Sequence, residues 1–253
     1  MASIICKNAA RKGKLVDLQQ ARQNGCPWDE GTCFYAAKGG HLDVLQWARQ
    51  NGCPWNEGTC SSAAKGGHLP VLRWARQNGC PWNEWTCAYA AEEGHLDVLQ
   101  WARENGCPWD AATCSYAAQG GHLDVLQWAR ENGCPWDEYV CTAAAKGGHL
   151  QVLQWARQNG CPWDEETCMY AVLDGHLNVL QWARQQDPPC PWNEKLCRPI
   201  LETHMPRNNH YNQRRWLQLK YDIRADTKWL DCVHDTLNEC VIPDVSNLIK
   251  NYI

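Results

Sequence analysis

Cysteine and histidine are the residues of this chain best equipped for chemistry, and both recur on a fixed spacing. The 253 residues include 17 Cys, and the dipeptide Gly-His places a histidine at 41, 68, 95, 122, 149 and 176, each step being 27 residues. Every interval repeats the same trio, Cys26, Cys33 and His41 in its first full copy. Thiolate and imidazole are preferred zinc donors, and a thiol beside an imidazole is also a nucleophile pair. The spacing argues against both. Cys-x6-Cys is wider than the short loops of compact zinc motifs, and a structural site needs a fourth donor. An active site is built once, whereas these residues return at identical positions in every copy. Cys26 and Cys33 are therefore read as small apolar residues filling core slots, and His41 as a hydrogen-bonding partner of the turn that precedes the second helix. An odd number of cysteines fits poorly with complete disulfide pairing. No G-x-S-x-G, phosphate-binding loop or dinucleotide glycine fingerprint occurs. No metal, cofactor or catalytic residue is assigned, and the chain is read as non-enzymatic.

The elements that position these residues follow from the repeat Cys26 to Gly52, CPWDEGTCFYAAKGGHLDVLQWARQNG. Further units begin at Cys53, Cys80, Cys107, Cys134 and Cys161. A seventh opens at Cys190 after a two-residue insertion, and a degenerate copy precedes them all. Asp29 is a good N-cap, with Trp28 and Cys33 flanking it as a hydrophobic staple. The pattern predicts a first helix over 30–38, ended by a left-handed Gly40. A second helix is predicted over 42–50, ended at Asn51-Gly52. Pro70 falls in the first turn of one second helix, where N–H groups are spare. Val44, Leu45, Trp47 and Ala48 form one apolar arc, and Cys33, Ala36 and Ala37 form a face of small residues. Trp28 and Trp47 are expected to supply most of the buried area. Helices this short are marginal alone, so the units must stack into a quasi-one-dimensional array.

The string A-A-x-x-G-H-L-x-V-L of Ala36 to Leu45 resembles the core of the ankyrin repeat, and Asn51-Gly52-Cys53 resembles its Asn/His-Gly-Ala. The unit is shorter than the usual ankyrin repeat of about 33 residues. Glu30-Gly31-Thr32-Cys33 stands where ankyrins have Thr-Pro-Leu-His. The resemblance implies an all-α helix–turn–helix repeat solenoid, ankyrin-like with shortened inter-repeat loops, and a tight loop in place of the projecting β-hairpin. It looks like the Cys-Pro-Trp units found in giant viruses, algae and oomycetes. For function it implies protein binding.

The organisation expected is a capping repeat over 1–25, six repeats over 26–189, and a divergent seventh repeat with a helical cap over 190–253. Lys14, Asp17 and Gln20 replace the later His, Val and Trp, as suits an outer face that meets water. Beyond the repeats, helices are expected over 213–221, 226–239 and 243–252. Residues 241–253 resemble the opening helix of an F-box. That resemblance implies an alternative role as a ubiquitin-ligase substrate adaptor binding a Skp1-type protein. A structural or assembly role is a further alternative.

Positions 31, 34, 35 and 38 of the first helix vary most between copies, and their spacing puts them on one face. Fixed positions are what stacking demands, so the variable ones are free to fit a partner. The candidate partner-binding residues are Phe34, Tyr35, Lys38, Trp85, Tyr89, Glu92, Tyr116, Gln119, Tyr139, Lys146, Met169 and Tyr170. Exposed aromatics are enriched in interfaces, and Trp85 stands out because its neighbouring counterparts are Gly58 and Ala112. The formal net charge of −4, without a block of Lys/Arg, argues against nucleic acid. No run of about 18 apolar residues would span a membrane. The N-terminal apolar run is too short for a signal peptide, so a cytoplasmic or nuclear chain with reduced thiols is expected. The expected partner is an unidentified protein, and the Cys-Pro-Trp resemblance implies one on the host side of a viral or protist interaction.

Overall fold

A computed structural model of the chain describes residues 3–195 and 197. Among these, fourteen helices and no strand are assigned. They form seven pairs: α1 (Ser3–Arg11) with α2 (Leu15–Gln23), α3 (Glu30–Lys38) with α4 (Leu42–Gln50), α5 (Glu57–Lys65) with α6 (Leu69–Gln77), and α7 (Glu84–Glu92) with α8 (Leu96–Glu104). Then come α9 (Ala111–Gly120) with α10 (Leu123–Glu131), α11 (Tyr139–Lys146) with α12 (Leu150–Gln158), and α13 (Glu165–Leu173) with α14 (Leu177–Arg184). The predicted bounds 30–38 and 42–50 coincide with α3 and α4.

Local chemistry explains the ends. The Asp29 carboxylate accepts the Gly31 N–H at 2.9 Å, and Asn56, Asp110 and Asp164 cap in the same way. Asn83 does not: its side-chain oxygen is buried without a hydrogen-bond partner. In the fifth full unit α11 starts one residue late, yet Asp137 still accepts the Tyr139 N–H at 3.1 Å. Gly40 has φ +74°, the left-handed conformation expected of it.

First helices pack closely on the first helices before and after them, whereas second helices touch mainly their own partner. A close row and a spaced row bend an array toward the close one. The fully buried set is small and aliphatic: Cys33, Ala36, Ala37, Val44, Leu45, Ala48 and their counterparts. The tryptophans keep part of their surface exposed and pack against the margin of this core. Trp28, expected to staple against Cys33, lies edge-on to Trp47 with ring centroids 5.8 Å apart. Five later units repeat this pairing. An indole ring is too large for the slots between closely packed helices and fits the wider gaps along the second-helix row.

Two further contacts tie each unit to the one before it. The His68 imidazole Nε2 bonds the carbonyl of Lys38, at the end of the preceding first helix, at 3.1 Å. His41, His149 and His176 make the same contact. Histidine thus reaches back a whole unit, which corrects its assignment to the local turn. Its ring also covers the preceding unit's glycine: a Cβ on Gly40 would lie 2.6 Å from the His68 ring. Second, the Arg49 guanidinium donates to the Cys53 carbonyl and lies 4.0 Å from the centroid of the Trp55 ring. Arg22, Arg76, Arg103, Arg130 and Arg157 repeat the arrangement. These arginines were not singled out above, although their constancy two residues after the tryptophan of every full unit's second helix is the signal that marks them.

Lys14, Asp17 and Gln20 are exposed, as expected of a cap, and so are Ile4, Ile5 and Val16. The helices expected over 213–221, 226–239 and 243–252, and the F-box-like segment 241–253, lie outside the described residues.

Candidate partner-binding face

The four variable positions of the first helix are not equivalent. Position 34 turns toward the neighbouring unit: Ser61, Ala88 and Thr142 are buried there, and Phe34, Ser115 and Met169 half-buried. Phe34 stands edge-on to Tyr35, centroids 5.1 Å apart, and its ring lies 3.4 Å from where a Cβ on Gly58 would be. The side chain at position 34 thus meets position 31 of the next unit. Large Phe34 faces Gly58, while small Ser61 and Ser115 precede Trp85 and Tyr139. Met169 packs against the core. Position 38 lies outermost, with Lys38, Gln119 and Lys146 exposed.

Two aromatic features follow. Trp85, 39 % exposed, packs on Tyr89 and Tyr116 with centroids 5.6 and 5.9 Å away, and Tyr89 and Tyr116 are 6.1 Å apart. Lys65 closes one side of this triad, 4.8 Å above the Tyr89 ring and paired with Glu92 at 2.6 Å and Glu93 at 3.4 Å. Glu92 is therefore already engaged by a neighbouring unit. Burial, then the adjoining Tyr89 hydroxyl, pushes the Tyr116 pKa up, so Tyr116 stays a neutral donor. Farther along, an open groove of about 430 Å³ runs across α9, α11 and α13. Tyr116, Tyr139, Tyr170, Asp137, Lys146 and Glu166 are among its lining residues. Tyr139 is 56 % exposed, and the Lys146 ammonium lies 5.6 Å from the Tyr170 ring centroid. The structure thus brings Trp85, Tyr89 and Tyr116 together, and Tyr116 with Gln119, Tyr139, Lys146 and Tyr170. Phe34, Tyr35 and Lys38 stand apart on α3.

The cysteines hold none of this surface. Cys26 is half-buried, and the other described cysteines, all unbridged, are buried. Among the described residues no three His, Cys, Asp or Glu side chains gather as metal ligands would. No described helix is long and apolar enough to cross a membrane.

Residues 87–130 and 114–157 match the family model "Ankyrin repeats (many copies)". The human ASB11 ankyrin repeat domain superposes with a TM-score of 0.50, at 17 % identity, over 62 % of this chain and 84 % of that one. The fold is that of an ankyrin-repeat solenoid. No curated protein matches the chain. Ankyrin repeats are protein-interaction modules, and neither likeness indicates a catalytic family.

Proposed function

We propose that the chain is a non-enzymatic scaffold that holds a partner protein along the outward face of its first helices, chiefly α7, α9, α11 and α13. One observation carries this reading. Trp85 and Tyr139 are large aromatics left exposed on a row of helices whose stacking positions are otherwise occupied by Cys and Ala. Stacking does not require them, since Gly31 and Gly58 serve at the same position in other units. Aromatic side chains offer large contact area with few rotors to immobilise, which is why they dominate binding hot spots. The neighbouring groove adds tyrosine hydroxyls and the charges of Asp137, Glu166 and Lys146, which supply orientation. A thiol-lined interior supports action in a reducing compartment, cytoplasm or nucleus. A photo-reactive residue at position 85 or 139 should capture one discrete partner in cells, whereas the same residue at exposed Asp97, on α8, should capture none. Equal capture from position 97 would remove the claim that the first-helix face is the binding surface.

A further inference from the structure

The two cysteines of the sequence unit, Cys26 and Cys33, are not the two that meet. Cys33 of α3 lies instead beside Cys53, which opens the following Cys-Pro-Trp link and whose sulfur reaches the Asp29 carbonyl at the start of α3. The same contact joins Cys60 with Cys80, Cys87 with Cys107, Cys114 with Cys134, Cys141 with Cys161, and Cys168 with Cys190. At the N-terminal end the Cys6 thiol points at the Cys26 carbonyl, 3.9 Å away, as Cys60 points at that of Cys80. Packing alone would be served by Ala or Val in these slots; a thiol facing a thiol in every unit adds a reaction that neither undergoes alone.

The Cys33–Cys53 and Cys60–Cys80 pairs have the other parts such a reaction needs. The Cys53 thiol reaches the Asp29 carbonyl at 3.5 Å, which orients it, and Cys80, Cys107, Cys134, Cys161 and Cys190 do likewise. Thr32 and Thr59 have fully buried hydroxyls without an ordinary hydrogen-bond partner, and each lies beside the second sulfur of its pair. A hydroxyl aimed at sulfur stabilises a thiolate there, and Arg49 adds positive charge close by. The neighbouring Cys53 and then burial push the Cys33 pKa up and hold it in the thiol form.

We infer that these pairs are dithiol sites which a small hydroperoxide converts to disulfides, bolting the first helix of a unit to the Cys-Pro-Trp link of the next. The Cys53 thiolate attacks one peroxide oxygen and the O–O bond breaks; the departing hydroxide takes the thiol's proton as water, leaving a sulfenic acid on Cys53. Cys33 sulfur then attacks Cys53 sulfur. The S–S bond forms, the S–O bond breaks, and the released hydroxide leaves as water with the Cys33 proton. One peroxide is reduced to two waters for each pair oxidised, and a dithiol reductant reverses the change. The interior is too tightly packed for a bulky mixed disulfide, which selects hydrogen peroxide over larger oxidants. The Cys6–Cys26 pair should react first because Cys26 is partly exposed.

The test exposes the reduced full-length chain to hydrogen peroxide under native conditions, blocks remaining thiols, and maps linked peptides by mass spectrometry. The expected products are Cys33–Cys53 and its counterparts, each lighter by two hydrogens and restored by dithiothreitol. Helical circular dichroism should be retained. In Cys33→Ala, a small-for-small change, Cys53 should stop at sulfenic or sulfinic acid while Cys60–Cys80 still closes. Scrambled links such as Cys33–Cys60, or oxygenated cysteines without links in the wild type, would overturn the inference. So would a Cys33→Ala chain whose Cys53 stays a free thiol while Cys60–Cys80 closes. None of these readouts involves a partner protein, so they stand or fall separately from the binding role.

Discussion

Alanine at two glycines separates the backbone requirement of the repeat from the histidine clasp that joins its units. Gly121 and Gly133 have nearly the same conformation, φ +79° and +81°. Either substitution forces an L side chain into the left-handed region, at a cost of about 1–2 kcal/mol. Their surroundings differ. A Cβ at Gly133 meets nothing within 4 Å, whereas one at Gly121 would stand 2.5 Å from the His149 Nδ1. The ring must move, and with it the bond from Nε2 to the Gln119 carbonyl, 2.9 Å long, worth roughly 0.5–1.5 kcal/mol. Gly133→Ala should therefore destabilise by about 1–2 kcal/mol and Gly121→Ala by about 2–3 kcal/mol. Urea unfolding followed by helical circular dichroism measures both. In a His149→Ala background the excess at position 121 should vanish. Equal losses at the two glycines, or an excess that survives removal of the imidazole, would refute the clasp.

Three other outcomes are expected. Arg103→Lys should cost about 1 kcal/mol in the same unfolding assay, because an ammonium cannot lie flat on Trp109 and also bond the Cys107 carbonyl; full retention of stability would show the stack to be incidental. Burial, first, lowers the His68 pKa, with His41 and His95 adding to the effect against the Lys38 carbonyl. Its folded pKa lies below the unfolded value near 6.5, so the unfolded state binds the proton more tightly. The His68 contribution is thus present above about pH 6.5 and lost as pH falls through the folded pKa. His68→Gln should flatten that part of the stability–pH curve, and an unchanged slope would contradict the assignment. Lys65→Met should lower stability by no more than about 1 kcal/mol, since its ion pairs with Glu92 and Glu93 are half-exposed; a far larger loss would mean that the cation over Tyr89 holds the fold.

Helix bounds, caps and the glycine stops were legible because they depend on contacts within a few residues: Asp29 with Gly31, Gly40 with its own backbone. What failed depends on contacts that cross units. The period shows that Cys26 and Cys33 recur, but not that Cys33 meets Cys53, because neighbours in space are set by how one unit docks on the next. His41 reaching Arg11 and Arg49 lying on Trp55 were hidden for the same reason. Asn83 fails as a cap although its type is right, and nothing in the structure explains why. On the candidate face, periodicity placed positions 31, 34, 35 and 38 together, yet only packing reveals that position 34 is spent against the next unit. That contact is why Phe34 and Met169 expose less than Trp85 and Tyr139.

The most direct test of the binding role is quantitative affinity purification with wild type, Trp85→Ala/Tyr139→Ala and Asp97→Ala, each first shown to keep its urea midpoint. Two hot-spot aromatics at about 2 kcal/mol each predict that a partner recovered with wild type and Asp97→Ala falls at least tenfold with the aromatic double variant. Equal recovery of that partner by all three chains would contradict the account.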